Sequence, residues 1–145
     1  MTETINLFEL KKIQTDFPKV KIDKPKVSFE FISQFYSDDI EIFESFFILL
    51  LNRNNITLGY AKISQGGIAE TVVDIKIIAK YCVDSLASAV IFAHNHPSGN
   101  LKPSDSDLAI TRNAKKALEL LDVKVLDSLI ITKNGFYSMQ ENQDF

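Results

Sequence analysis

The chain holds a single cysteine, Cys82, no tryptophan, and only two histidines in 145 residues. One cysteine excludes an internal disulfide and suits a reducing compartment, so the expected location is cytoplasmic. The Ile78, Cys82, Leu86 spacing predicts a core position for that thiol rather than a redox role. No run of lysine and arginine is present, and 16 basic residues face 19 acidic ones for a net charge of −3. That balance argues against tight nucleic-acid binding by this chain alone. The longest apolar run, Phe46 to Leu51, is far too short to cross a membrane. Met1 to Leu10 carries acidic residues early and no apolar core, which predicts no secretory signal. Neither internal repeats nor low-complexity segments occur. What is there is ordinary for one soluble domain: 46% hydrophobic and 24% charged residues, enough to build a single core.

Residues 1–40 read as an N-terminal arm packed on a domain spanning 41–145. Phe17-Pro18 and Lys24-Pro25 interrupt the arm, Lys19 to Asp23 alternates like an edge strand, and Ser28 to Tyr36 suits a short helix. Ser45 to Leu51 is a continuous apolar run closed by Asn52-Arg53-Asn54-Asn55, the pattern of a central strand and turn. Ile56 to Ile63 returns as the second strand of a hairpin. Thr71 is the expected cap of a helix to about Ser88, with Ile75, Ile78, Cys82 and Leu86 inward. Ala89 to Ala93 is a short buried strand. Ser104 opens a helix to about Leu121, with Ile110, Ala114, Ala117 and Leu121 inward. Val123 to Thr132 is another strand, and Asn134-Gly135 turns into a last one at Phe136 to Ser138. The alternation predicts an α/β domain, a mixed β-sheet with helices packed on it.

Both histidines fall where the buried strand ends, in His94-Asn95-His96-Pro97-Ser98-Gly99. Residues two apart on a strand point to one side, so His94 and His96 can aim a nitrogen each at a common point. The punctuated loop to Pro103 brings Asp107 back in the first turn of the next helix. Three such ligands leave a zinc its fourth position open, which is the pattern of a catalytic site. Simpler readings exist for the parts. Ser104-x-x-Asp107 also fits a helix capping box, and a His-x-His pair also fits a surface turn.

The string His94-x-His96-Pro97, seven residues, Ser104, two residues, Asp107 resembles the JAMM motif of the JAB/MPN metalloproteases. With Asn95, Ser98, Gly99 and Pro103 it is similar to the RadC branch of that family. Ile63 to Ile68, Thr71 to Asp74, Leu126-Asp127 and Leu129 to Ile131 agree with the same branch, so the likeness covers about residues 41–140. It implies a fold related to the cytidine deaminases, and hydrolysis of a peptide or isopeptide bond by water activated on one zinc ion. His94, His96 and Asp107 carry over as zinc ligands, and Ser104 as the group hydrogen-bonding near the developing oxyanion. Glu44 carries over as general acid/base; its bland alternative is a solvated charge at a strand end, and Glu41 is the nearest rival. Three positions depart from the pattern: Ser128 where a histidine is usual, Lys76 for an arginine, and Glu70 for a glycine.

The leading expectation is therefore a zinc metallopeptidase acting on a protein or peptide. The alternative is a DNA-repair or mobile-element accessory protein that works by binding, which the acidic balance does not favour. A nuclease of the His-Asn-His type draws its letters from separated positions rather than one tripeptide. A deaminase needs a Cys-x-x-Cys that one cysteine cannot supply.

Overall fold

A computed structural model describes residues 2–9, 11–67 and 72–145. It contains helix α1 (Pro25–Ile32), strands β1 (Ser45–Leu51) and β2 (Thr57–Gln65), helix α2 (Ile75–Asp84), strand β3 (Ala89–Asn95), helix α3 (Asp105–Glu119), and strands β4 (Lys124–Thr132) and β5 (Gly135–Ser138). The five strands form one mixed sheet in the order β2-β1-β3-β4-β5. β1 is antiparallel to both β2 and β3, while β3 and β4 run parallel across the α3 crossover.

The sheet is covered on both faces, which explains why β1 and β3 read as unbroken apolar runs. On one face Ile48, Leu50, Val90 and Phe92 pack under Ile78 and Cys82 of α2 and Ala114 and Leu118 of α3. On the other, Leu49, Leu51, Ile91, Ala93 and Leu129 pack against Phe31 and Ile32 of α1. The expected α/β architecture is the one observed.

Several local expectations shift. The helix predicted over Ser28–Tyr36 begins at Pro25, whose fixed φ suits a first helical position, and ends in a 3-10 turn at Ser33–Phe35. Lys19 to Asp23 forms no strand; only Lys21 bridges to Ile56. α2 starts at Ile75, where the Asp74 side chain accepts the Lys76 N–H, and stops at Asp84. Thr71, the expected cap, lies outside the described residues, as does Glu70. Leu86 therefore falls past the helix end, at φ 54°, and is exposed instead of inward. Leu121 is likewise exposed, because α3 ends at Glu119 and its inward face is Thr111, Ala114 and Leu118. Residues 2–9 are exposed throughout, whereas Ile22, Phe31 and Ile32 are core. Among the described residues no helix is long and apolar enough to cross a membrane.

Candidate metal centre

The site forms at one end of the two central strands. Phe46 of β1 is paired with His94 of β3, so Glu44, just before β1, lies beside the stretch that carries both histidines. His94 and Glu44 are buried at 4% and 5% exposure. The two Nε2 atoms stand 3.1 Å apart. Asp107 Oδ1 lies 3.2 Å from Nε2 of His94, and its Oδ2 lies 3.2 Å from Nε2 of His96. Glu44 Oε1 is 3.9 Å from His96 Nε2. One ligand atom each from Glu44, His94 and His96 falls within 4.8 Å of the others.

The loop after β3 sets the chemistry of His96. Gly99 sits at φ 83°, a conformation that costs a side-chain-bearing residue, and its N–H donates to the His96 carbonyl at 2.9 Å. The chain thus turns back and puts the Asn100 carbonyl 2.6 Å from His96 Nδ1. Nδ1–H donates there, which leaves the Nε2 lone pair facing the centre, the tautomer a metal ligand requires. His94 Nδ1 is buried and has no hydrogen-bond partner among the described residues.

Asp107 serves two purposes. Ser104 caps α3: its hydroxyl accepts the Asp107 N–H at 3.0 Å, and Asp107 Oδ2 accepts the Ser104 N–H at 2.9 Å. The capping box is real, and the same carboxylate still reaches both imidazoles. Burial alone would raise the Asp107 pKa, but the imidazoles of His94 and His96, which donate to it once protonated, hold it far below the ordinary carboxylate range. For His96, burial works to lower the pKa, and the Asp107 carboxylate and Asn100 carbonyl overcome it, so the net direction is up.

A lone pair and a carboxylate converging this closely call for a cation between them. The separations of 3.1 and 3.2 Å approach the edge of about 3.3 Å for a tetrahedron with arms of about 2.0 Å. The donor set, two nitrogens and an oxygen, suits a divalent transition metal. Glu44 stands farther out than Asp107, with Oε1 3.9 Å from His96 Nε2. Glu41, its rival, is spent on an exposed ion pair with Lys133 at 3.5 Å.

Two residues that sequence reasoning overlooked shape the site. Asn95 is fully buried and hydrogen-bonded to the segment that leads into β1. Tyr36 donates its hydroxyl to the Ser45 carbonyl at 3.1 Å, and burial, then the nearby Glu44 carboxylate, push its pKa up. An asparagine inside an otherwise apolar strand was the available signal for the first; nothing local marks the second. Ser128 lies on the floor beneath α3, its hydroxyl accepting from Thr111 at 3.2 Å.

The mixed sheet, the crossover helix and the pair of histidines at the strand end define a JAB-type domain. Residues 22–144 match the model of the RadC-like JAB domain family, and the chain belongs to that family. It is 45% identical over 102 residues to a UPF0758 protein of Flavobacterium johnsoniae, covering 70% of this chain and 44% of that one. It is 38% identical over 116 residues to a UPF0758 protein of Porphyromonas gingivalis, covering 80% and 50%. A UPF0758 protein of Coprothermobacter proteolyticus matches at 37% over 123 residues, covering 83% and 52%. The chain spans about half the length of the curated relatives it matches.

Proposed function

We propose that the chain is a zinc-dependent hydrolase of peptide or isopeptide bonds. The observation that carries this reading is the convergence of His94 Nε2, His96 Nε2 and both Asp107 oxygens on one point, with the Glu44 carboxylate next to it. His94, His96 and Asp107 would hold the ion. When bound, zinc supplies a Lewis acid that brings the pKa of water to about 7.

The chain's own groups do the rest. Glu44, nearly water-free at the head of β1, takes a proton from the attacking water and delivers it to the leaving amine. Ser104, whose hydroxyl accepts the Asp107 N–H at 3.0 Å, is the group assigned to hydrogen-bonding near the developing oxyanion. His96 is kept in register by Asn100. The acidic balance of the chain favours this reading over direct work on DNA.

Elemental analysis of protein purified without chelators tests it. About one zinc per chain is expected, with His96→Ala losing it. A folded wild-type chain that holds no zinc after incubation with the ion overturns the reading.

A further inference from the structure

Asn95 lies between the two histidines, yet its side chain points the other way, because neighbouring residues on a strand face opposite sides. It is fully buried. Its Oδ1 accepts the Ser45 N–H at 2.7 Å, and its Nδ2 donates to the Phe43 carbonyl at 2.8 Å and the Ile40 carbonyl at 2.6 Å. Both N–H donors and one oxygen lone pair are used, and the partners fix which end is which.

The Phe43 carbonyl and the Ser45 N–H belong to the two peptide planes on either side of the Glu44 Cα. A single side chain therefore restrains both backbone torsions of Glu44. The backbone of Glu44 is held from the other side too, by Glu44 N–H to the Gly67 carbonyl at 3.0 Å and Gly66 N–H to the Glu44 carbonyl at 2.8 Å. Leucine or valine would fill a buried strand position as well as asparagine does, at no desolvation cost. The amide makes sense as a clasp between the strand that carries the histidines and the residue that must face them.

We infer that Asn95 is a positioning residue: it sets the Glu44 carboxylate against the centre formed by His94, His96 and Asp107. This rests on the hydrolase reading above. It makes the tripeptide His94-Asn95-His96 one device, with ligands on one side and the acid/base holder on the other.

The test uses the whole chain loaded with Co2+ in place of zinc, read by visible absorption, which reports the surroundings of the ion. Glu44→Gln is expected to change the spectrum. Asn95→Ala should reproduce at least about half of that change, and the double variant should show no more than Glu44→Gln alone, the pattern of coupled residues. Co2+ affinity of Asn95→Ala should fall less than the roughly tenfold typical of groups that touch a ligand. Asn95→Ser serves if Asn95→Ala does not fold. A wild-type spectrum in the Asn95 variant, or additive changes in the double variant, overturns the clasp while leaving the hydrolase reading intact. A chain that binds no Co2+, or a Glu44→Gln spectrum unchanged from wild type, brings down the reading beneath it instead.

Discussion

Asp107, in the first turn of the α3 crossover, and Asp127, on β4, are two shielded carboxylates, and the protein treats them in opposite ways. Asp127 is closed. Its oxygens accept the Ser128 N–H at 2.7 Å, the Ser138 hydroxyl at 2.6 Å and the Gln140 N–H at 3.0 Å. These bonds tie β4 to β5 and to the final turn. Burial dominates over them and its pKa goes up. Asp107 keeps one helix cap and turns both oxygens towards imidazole nitrogens, and its pKa goes down. The same side chain is a finished structural joint in one place and, in the proposed metal centre, a ligand in the other. Burial against the partners each carboxylate meets separates the two: hydroxyl and backbone N–H groups at Asp127, imidazoles at Asp107.

The comparison breaks most sharply on metal content. His96→Ala should lower zinc affinity by more than about 100-fold, because one of the three proposed ligands goes. Asp127→Ala should leave zinc content at the wild-type level in the same elemental assay. Stability should show the reverse. Asp127→Ala strands three donors in the interior, and denaturant unfolding should lose about 3 kcal/mol. Ser104→Ala removes the cap of α3 and should lose about 1 kcal/mol, with zinc retained.

The smallest effect is in pH. Asp107 has a folded pKa below its ordinary value, so its contribution is present above about pH 4 and is lost as pH falls through the folded value. Asp127 has a raised pKa, so its contribution is present in acid and is lost as pH rises through its folded value. In chelator-treated protein, Asp107→Asn should flatten the loss of stability in acid and Asp127→Asn should not. Denaturation midpoints measured from about pH 2 to 6 decide it.

Much of this was legible in the residues. Covered on both faces, β1 and β3 announced themselves as unbroken apolar runs, and the β1–β2 hairpin followed from the Asn-rich turn. Helix ends were less legible, since Asp74 rather than a residue nearer Gly67 closes the first turn of α2, and Leu86 and Leu121 fell just beyond helices that stop early. His94, His96 and Asp107 could be found because they fall within 14 residues, at the end of β3, in the loop after it and in the first turn of α3. Glu44 needed the family pattern, because its place beside them depends on the pairing of Phe46 with His94, 48 positions apart in the chain. The role of Asn95 depends on the same pairing seen from the opposite face of the strand, and Tyr36 enters from an element before the sheet begins.

Asp107 holds a helix together whether or not an ion is present. Drift in a lineage that abandons the chemistry would therefore erase its letters unevenly. The histidines, freed of their task, become replaceable, while Ser104 and Asp107 stay under pressure from the helix they start. Among such sequences the serine–aspartate half of the pattern is a poor witness to activity, and the state of positions 94 and 96 is the one to read first.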